Sequence, residues 1–506
     1  MSRSLIATLA HRFGPRTTAA ERRLFIKATL AASAGLLLST RPASAIARLG
    51  RDSKKRVVVV GAGFAGLAAG HELKAVGYDV TLIDPRRRVG GRVLSFNATF
   101  NNTFIDGRNV EGGAELIGSN HPTWMNYKEL FGLEMLDVTE DEGDVIYPIV
   151  IDGKPLPDEQ GGELWGAMEE ALNLMNDLAK DVPEDEPWKA DNAQKLDGTS
   201  TAEWINGLDV PELVKKLMLI NQFSDNGQAA EKQSLLGQLT AVKGGGLEKF
   251  WKETEVYRCK GGNGLLAKHL AEKIGMDRII LGLAARSITL RNSTVIVEAT
   301  DGRTIECDDV VFTAPPPTWD RCEISPALPR AMTPQVGVNT KHLVHTKNRA
   351  WRMGEPKRSQ YVYSDGLINQ TWEGTDAQGF GDDEPACLVG FAGGPPVEKA
   401  MAMSREEREQ AFADAYEMFF PGVKDAIVAT RYMDWPRDEW AKCSYSFPAP
   451  GQVTTVGPLM ARAHLNGRLH LAGEHTCYKF VGYMEGGLNS GAAVAKRLAQ
   501  RDGVVR

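Results

Sequence analysis

The sequence of 506 residues has few cysteines and no cysteine cluster. Its six cysteines are scattered, with no C-x-x-C pair and no metal-ligand spacing, so we expect no metal site. Whether two of them form a disulfide stays open, because sequence alone cannot pair them. Beyond residue 45 no run is long and apolar enough to cross a membrane, and we expect no membrane span. The composition of the chain, 42% hydrophobic and 25% charged, is that of an ordinary globular protein.

The first 45 residues predict an export signal. Residues 21–27 carry Arg22 and Arg23, residues 28–38 are apolar, and A-S-A follows at 43–45. This order of basic region, short apolar region and A-x-A site is that of a signal peptide, and the paired arginines resemble a twin-arginine signal, which addresses folded proteins. A membrane anchor is the alternative, but the run has only about half of the ~20 residues that a span needs. We therefore expect a periplasmic protein.

Negative charges outnumber positive ones in the chain. Its formal net charge is −6, and cleavage of the signal, which holds seven Lys/Arg and one acid, would leave −12. A chain this acidic repels nucleic acid and anionic membranes. Neither is an expected partner.

The strongest motif lies at residues 57–66, V-V-V-V-G-A-G-F-A-G. Four valines predict a buried strand, and Gly61, Gly63 and Gly66 form G-x-G-x-x-G at the turn into a helix. The first glycine permits the tight turn, the second lets the backbone approach a pyrophosphate, and the third lets the helix pack on the strand. A second strand ends at Asp84, placed to accept a ribose hydroxyl. The context predicts a dinucleotide site, with an ordinary strand-to-helix turn as the alternative.

Three further segments have glycines where backbone could approach a ligand. Residues 85–92, P-R-R-R-V-G-G-R, form a basic loop in which Arg92 is the expected donor to a diphosphate, whereas Arg87 and Arg88 are typical of a solvated turn. Residues 111–115, E-G-G-A-E, permit close approach to something flat. Residues 468–491 give a strand, an acid and a glycine-rich entry into a helix, whose N-terminus could face a cofactor.

The order of predicted elements indicates an α/β protein with a discontinuous first domain. Residues 163–251 have helical periodicity, and alternating strands surround them on both sides. We predict a Rossmann-type dinucleotide-binding domain and an α+β substrate-binding domain with a mixed sheet and a helical insertion. The predicted bounds are 46–100, 255–320 and 455–506 for the first domain, and 101–254 and 321–454 for the second, with its helical part at about 160–254.

Six motifs in order give the sequence its resemblance to a known family. They are G-A-G-F-A-G-L-A-A-G at 61, R-V-G-G-R at 88, V-E-G-G-A-E at 110, Y-R-C-K-G-G-N at 257, V-V-F-T-A-P-P-P at 310, and A-G-E-H-T with G-Y-M-E-G-G-L-N-S-G at 472–491. From about residue 55 to residue 499 the chain is similar to the flavin-containing amine oxidases, which include monoamine, polyamine and L-amino-acid oxidases.

The resemblance implies FAD rather than NAD as the bound dinucleotide. Cys443 falls where monoamine oxidases link FAD through a thioether, but many members bind FAD without a link, so we expect non-covalent FAD and a small buried Cys443. The cofactor contacts implied by position are Gly61, Ala62, Gly63, Ala65, Gly66, Asp84, Arg86, Gly91, Arg92, Gly113, Ala114, Glu115, Ala285, Gly473, Glu474, Gly482 and Met484.

The family keeps a lysine ten residues before a tryptophan, where it holds a water near the flavin. Lys341 and Trp351 have this spacing, so Lys341 resembles that catalytic residue. Lys347 is the competing assignment, and a solvated strand-end lysine is the alternative reading.

Two aromatic faces flank the substrate nitrogen in monoamine oxidases. Tyr483 matches one of them, whereas Ser444 stands where the second tyrosine would be. Trp372, Tyr445 or Phe480 could supply the second face. We name Trp372 with Lys341 and Tyr483 as the catalytic set.

The resemblance implies oxidation of an amine by O2, with release of peroxide and ammonia. Residues 204–257 are most similar to bacterial L-amino-acid oxidases, which predicts a 2-oxo acid as product; the alternative is a mono-, di- or polyamine oxidase or dehydrogenase that forms an aldehyde. The better-known L-amino-acid oxidases place a carboxylate-binding arginine two residues after a G-A pair, but Gly113-Ala114 is followed by Glu115 and Leu116. Glu115 could instead attract a distal ammonium.

Two points stay open at this stage. A flavin-binding protein with a structural or redox-sensing role is a third reading, which loss of Lys341 or Tyr483 would favour; both are present. The oligomeric state, a homodimer or otherwise, is not readable from the sequence.

Overall fold

The computed structural model describes residues 55–139, 143, 145–157 and 161–505, and before them residues 6, 9, 10, 14, 21, 22, 24–27, 30 and 35–40. The predicted cleavage site at 43–45 and Arg23 lie outside the described residues. Arg22 is described, and its guanidinium bonds the carboxylates of Asp137 and Glu253. No helix in the described part of the chain is long and apolar enough to cross a membrane.

The strands have the following bounds. They are β1 (Arg56–Val60), β2 (Asp79–Asp84), β3 (Ser95–Phe96), β4 (Val110–Glu111), β5 (Met135–Asp137), β6 (Ile149–Ile151), β7 (Lys154–Pro155), β8 (Tyr257–Cys259), β9 (Ile279–Leu281), β10 (Ala285–Arg291), β11 (Thr294–Ala299), β12 (Thr304–Cys307), β13 (Asp309–Phe312), β14 (Glu323–Ser325), β15 (Asn339–Thr346), β16 (Val362–Ser364), β17 (Gln370–Glu373), β18 (Ala386–Gly393), β19 (Ile427–Met433) and β20 (Leu469–Leu471).

The α-helices connect and cover these strands. They are α1 (Phe64–Ala75), α2 (Pro122–Phe131), α3 (Gly161–Ala179), α4 (Ala193–Gly198), α5 (Thr201–Asn206), α6 (Glu212–Asn226), α7 (Leu235–Gly244), α8 (Glu248–Glu253), α9 (Gly264–Ile274), α10 (Ala350–Met353), α11 (Pro395–Ala402), α12 (Arg405–Phe419), α13 (Gln452–Thr455), α14 (Gly457–Ala461) and α15 (Met484–Arg501).

A five-stranded parallel sheet carries the glycine motif. Its order is β20-β13-β1-β2-β9, with the valine strand β1 in the centre. Val57, Val58, Val59 and Val60 are all buried, which is what a strand covered on both faces requires. Helices α1 and α15 pack together so closely that a Cβ at Gly491 would lie 2.1 Å from the Ala65 carbonyl oxygen. The predicted α/β, Rossmann-type class is confirmed.

A mixed seven-stranded sheet forms the second part of the molecule. Its order is β19-β15-β18-β17-β16-β6-β7, and its central pairs are antiparallel. Helix α12 covers one face, where Phe412, Tyr416 and Phe419 join a core that includes Val344 and Leu388. A separate four-stranded sheet has the order β12-β11-β10-β14 and shares no strand with the seven-stranded sheet.

The strands of the two larger sheets come from different segments of the chain. The parallel sheet takes β1 and β2 from the first predicted piece, β9 and β13 from the middle piece and β20 from the last. The seven-stranded sheet takes every strand from the intervening segments, and α3–α8 occupy the segment with helical periodicity. The boundaries themselves stay predictions.

Candidate active site

A deep cleft runs between the parallel sheet and the seven-stranded sheet. It encloses about 1520 Å³, including its open mouth. Residues at the carboxyl ends of β1, β2 and β13 line one side, and Lys341 of β15 and Phe391 of β18 line the other. The carboxyl edge of a parallel sheet is where ligands bind in open α/β folds.

Two helix N-termini at the cleft lack side-chain caps. Helix α1 begins after Gly63 and α15 after Tyr483, and neither residue makes a side-chain cap hydrogen bond. The first N–H groups of a helix have no intrahelical acceptor, and with the helix dipole they favour an anion. A Cβ at Gly63 would find only Gly91, 3.8 Å away, so the backbone is open to the cleft there. Gly61 makes the preceding turn at φ +110°.

Asp84 is fixed by the backbone at the end of β2. The Ala62 N–H donates to Oδ2 at 2.7 Å, and the Arg86 N–H donates to Oδ1 at 2.8 Å. Burial raises the pKa of Asp84, although these two hydrogen bonds oppose that rise. The carboxyl group lines the cleft in a set orientation, as a group that accepts a ribose hydroxyl must be.

The arginines of the basic loop have protein partners. Arg86 bonds the Asp438 carboxylate, and Nη1 of Arg92 donates to Glu474 Oε1 at 3.0 Å. The guanidinium of Arg88 donates to backbone carbonyls of its own loop, so the predicted solvated turn describes the exposed Arg87 but not Arg88. Arg86 and Arg92 line the cleft while held in place by these carboxylates.

Glu474 joins the end of β20 to the start of α15. Its carboxylate accepts from Arg92 and, at 2.9 Å, from the Gly482 N–H. Burial opposes ionisation, but the charges of Arg92 and His475 together with the hydrogen bonds from Gly482 and Arg92 outweigh it, and the pKa of Glu474 is lowered. Glu474 is therefore ionised, and it holds the Arg92 side chain and the Gly482 backbone at the wall of the cleft.

Glu115 is the centre of a buried charge network that includes Lys341. Its Nζ donates to Glu115 Oε2 at 2.5 Å, while Nη1 of Arg258 lies 2.8 Å from Glu115 Oε1 and Nε1 of Trp372 donates to the same oxygen at 2.9 Å. Burial opposes ionisation of Glu115, but the charges of Lys341 and Arg258 hold its pKa below the ordinary value. Glu115 thus anchors the lysine ammonium at the cleft, and its carboxylate is already engaged by two cations. Lys347, the competing lysine, is exposed beyond the far end of β15.

Trp372 does not take the predicted place of an aromatic face. It is 1% exposed and lies outside the residues that line the cleft. Its indole centroid is 5.3 Å from Lys341 Nζ, and its N–H supports Glu115. Trp372 therefore positions the lysine and carboxylate pair from behind.

Tyr483 and Tyr445 supply the aromatic walls of the cleft. Ser444, at the position of the second family tyrosine, donates its hydroxyl to Asn339 Oδ1, and both Ser444 and the adjacent Tyr445 line the cleft. Burial raises the pKa of both phenols well above the ordinary value, so both are neutral. Phe480 is buried against His121 and does not line the cleft.

The cleft brings most of the predicted residues together. Four lie outside the lining: Glu115 and Trp372 as described, Ala62, which supports Asp84, and Gly66, where a Cβ would lie 1.9 Å from the Gly61 carbonyl oxygen. The predicted residues that line it are Gly61, Gly63, Ala65, Asp84, Arg86, Gly91, Arg92, Gly113, Ala114, Ala285, Lys341, Gly473, Glu474, Gly482, Tyr483 and Met484.

Sequence reasoning missed the tryptophans of the segment W-P-R-D-E-W. Trp435 lines the cleft and donates its indole N–H to the Gly112 carbonyl at 2.9 Å. Trp440 also lines it, with the Arg321 guanidinium 4.6 Å above its ring. The sequence feature that could have indicated their position is the pair of tryptophans in one polar loop that follows a strand.

The cysteines of the structure are free and buried. Cys443 lies outside the cleft lining, its sulfur is 4.0 Å from Nη1 of Arg92, and burial raises the pKa of its thiol to about 12. In the described part of the chain no three His, Cys, Asp or Glu side chains are grouped as metal ligands.

Comparison with known proteins identifies relatives over nearly the whole chain. The family profile described as flavin containing amine oxidoreductase matches residues 64–499. The chain is 26% identical to flavin-containing amine oxidase B of Sus scrofa over 476 residues, covering 90% of this chain and 88% of that protein. It is 24% identical to the probable flavin-containing monoamine oxidase A of Dictyostelium discoideum over 465 residues, covering 88% and 97%.

Solved structures show the same fold. Putrescine oxidase bound to putrescine has a TM-score of 0.76 at 22% identity, covering 88% of this chain and 99% of that one. Cyclohexylamine oxidase from Brevibacterium oxydans has a TM-score of 0.76 at 23% identity, covering 89% and 100%.

The cofactor of these relatives, FAD, fits the residues of the cleft. The uncapped N-terminus of α1 and the open backbone at Gly63 suit a diphosphate, and Asp84 is oriented for a ribose. The uncapped N-terminus of α15, beside Met484, faces the same cleft. These groups would hold FAD, which supplies the two-electron chemistry that side chains lack.

Proposed function

The chain belongs to the family of flavin containing amine oxidoreductases, and from this premise we propose that it oxidises a primary amine with O2. The balanced reaction converts amine, O2 and water into an aldehyde, ammonia and H2O2. Two electrons and two hydrogens leave the carbon and nitrogen of the substrate and reduce O2 to peroxide, and water then hydrolyses the imine.

The chain's own residues prepare the amine and the oxygen. Desolvation between Tyr445 and Tyr483 disfavours the ammonium form and exposes the nitrogen lone pair. The Lys341 ammonium, anchored by Glu115 at 2.5 Å, is placed to hold a water at the edge of the cleft. Trp372 and Arg258 keep Glu115 in position.

The observation that carries the choice of a plain amine is that every cation among the described residues lining the cleft has a carboxylate partner. Among these residues the only lysine is Lys341. Its ammonium is engaged by Glu115.

The arginines elsewhere in the lining also have carboxylate partners. Arg86 pairs with Asp438, Arg92 with Glu474, and Arg321 with Glu439 at 3.6 Å. Burying a substrate carboxylate without a cation to pair with it would cost on the order of several kcal/mol of binding free energy. The relative of the same fold that holds putrescine is bound to an amine without a carboxylate.

Oxidation of an L-amino acid to a 2-oxo acid is the second candidate. The resemblance of residues 204–257 to bacterial L-amino-acid oxidases, described under Sequence analysis, favours it. The two candidates share the cofactor, the aromatic walls and Lys341. They differ only in whether the site must bind a substrate carboxylate.

One assay separates the candidates. Purified FAD-loaded protein is scanned for peroxide release with a panel of primary amines and with the standard L-amino acids. We expect turnover of amines; turnover of L-amino acids alone would replace the first candidate by the second. Boiled enzyme and enzyme plus catalase are the controls.

Export is proposed separately, on the order of basic, apolar and A-x-A segments before residue 46. Cell fractionation of a producing strain should place activity in the periplasm, and substitution of Arg22 and Arg23 by lysine should retain it in the cytoplasm. Periplasmic activity that survives this substitution would contradict the twin-arginine route.

A further inference from the structure

The predicted export signal lies against the folded protein at two places. Of the described residues before residue 46, Arg22 is 6% exposed, and Leu37 and Leu38 are 1% and 0% exposed. A receptor-read address must be reachable from solvent. The contacts of these buried residues instead tie the segment to the body of its own chain.

The first place is a pair of acids that receives the Arg22 guanidinium. Nε donates to Glu253 Oε2 at 3.1 Å, and Nη1 donates to Asp137 Oδ2 at 2.8 Å and to Thr139 Oγ1 at 3.2 Å. Glu253 ends α8 and is 3% exposed, whereas Asp137 ends β5. Hydrogen bonds between ionised groups are about twice as strong as neutral ones, so this place is specific for a cation with several donors.

The same helix, α8, holds a second residue of the segment. Lys249 Nζ lies 3.3 Å from the centroid of the Phe25 ring, which is a cation–π contact. Lys249 and Glu253 are four positions apart on α8, and Arg22 and Phe25 are three positions apart in a part of the segment whose described residues are helical. Residues at these spacings share a helix face, so one face of the segment matches one face of α8.

The second place is the buried carboxylate of Glu72 on α1. The Ser39 N–H donates to Oε2 at 2.7 Å and the Ser39 hydroxyl donates to Oε1 at 2.9 Å, which also accepts from the Tyr127 hydroxyl at 2.7 Å. Leu37 and Leu38 belong to the hydrophobic core beside this group. Hydrogen bonds and apolar burial therefore both hold this end of the segment.

We propose that Asp137, Glu253 and Lys249 form a docking surface for the chain's own N-terminal segment, and that the docked segment hides Arg22 from the export receptor. The inference rests on the proposed export, which makes Arg22 one of the two arginines that are read. The receptor and the two acids compete for the same guanidinium. Because the two contacts exclude each other, the docked fraction of the protein is not available for export.

Trypsin cleavage after Arg22 measures release of the segment in the FAD-loaded full chain, because cleavage follows the population of the open form. Protein that retains its first 45 residues is purified from cells without a twin-arginine export system, and the released peptides are followed by mass spectrometry. Glu253→Gln should be cleaved faster than wild type by roughly tenfold or more, since it weakens a hydrogen bond between charged groups. Asp137→Asn should have a smaller effect in the same direction, because the Asp137 side chain is 43% exposed.

The matched control is Glu248→Gln, an exposed acid on the same helix, which should keep the wild-type cleavage rate. Equal rates in wild type, Glu253→Gln and Asp137→Asn overturn the docking surface, and so does a Glu248→Gln variant cleaved as fast as Glu253→Gln. If Glu253→Gln fails to fold, Asp137→Asn still decides at the first place. Ser39→Ala, which loses the hydroxyl bond to Glu72, then tests the second place by the same measurement.

The rate of export tests whether docking hides Arg22. In a pulse-chase experiment, Glu253→Gln should reach the periplasm severalfold faster than wild type, because more of its segment is released. An unchanged export rate, in a variant that trypsin shows to be released, overturns this part of the proposal. If protein with lysine at positions 22 and 23 still reaches the periplasm, the proposed export route fails, whereas the trypsin measurement decides independently whether the segment docks.

Discussion

Replacing Glu115 by glutamine should destabilise the protein by about 3–5 kcal/mol, the range for breaking a buried ion pair from one side. Glutamine keeps the shape but leaves two buried cations face to face. Arg258 retains two backbone carbonyls as acceptors, whereas Lys341 retains only the Glu111 carbonyl at 3.4 Å. Most of the cost therefore falls on the lysine.

Glu111 provides the matched control, because it is a buried carboxyl held by neutral donors. The Ser95 hydroxyl and the Asn263 N–H donate to it, and burial raises its pKa to about 7. Near pH 7 the group is about half protonated, so Glu111→Gln should cost less than roughly 1 kcal/mol, as a volume-conserving change with its hydrogen bonds largely kept.

The raised pKa of Glu111 also sets a pH dependence. The group binds its proton more tightly in the folded state, so its contribution is fully present below pH 4.5 and is lost as pH rises through 7. The loss amounts to about 3 kcal/mol at 1.36 kcal/mol per pKa unit. Glu111→Gln should remove this part of the dependence, whereas Glu115→Gln should not.

Urea unfolding of the FAD-loaded variants, monitored by tryptophan fluorescence, measures these changes in the free energy of unfolding, provided that the slope m is the same for each variant. Adding Lys341→Met to Glu115→Gln should restore part of the stability, because it removes the unpaired charge. The account of the charge network is refuted if Glu115→Gln costs no more than Glu111→Gln, or if the double variant costs the sum of the single ones.

Three further predictions concern the cofactor and oxygen. Lys341→Met should retain FAD but slow oxygen consumption by roughly tenfold or more; an unchanged oxygen rate would show the lysine assignment to be wrong. Gly63→Ala should fold, because its Cβ meets only Gly91 at 3.8 Å, but weaken FAD binding by roughly tenfold or more in a flavin titration, since the methyl stands in the cleft; Gly61→Ala, whose Cβ would lie 2.2 Å from Thr313 Oγ1, should fail to fold. Acid precipitation should release the yellow colour from both wild type and Cys443→Ser, and colour retained by wild type alone would establish a covalent link.

The dinucleotide-binding part of the fold was predictable because its signal is local. Four valines, three glycines and an acid lie within residues 57–84, and each answers a steric or hydrogen-bonding need of one turn. The helix that the motif predicts begins at Phe64, directly after the second glycine.

The charge network was not predictable, because it depends on contacts between distant segments. Glu115 meets Trp372 across 257 positions of the chain and Lys341 across 226. Sequence could place Lys341 by spacing but could not tell that Glu115 faces it rather than a substrate.

The most direct test of the central claim is anaerobic mixing of the FAD-loaded enzyme with putrescine. The account predicts that the yellow flavin absorbance bleaches and returns when air is admitted, with one H2O2 and one ammonia formed for each amine consumed. Absorbance that no amine or amino acid bleaches, in protein that is folded and fully loaded with FAD, would contradict it.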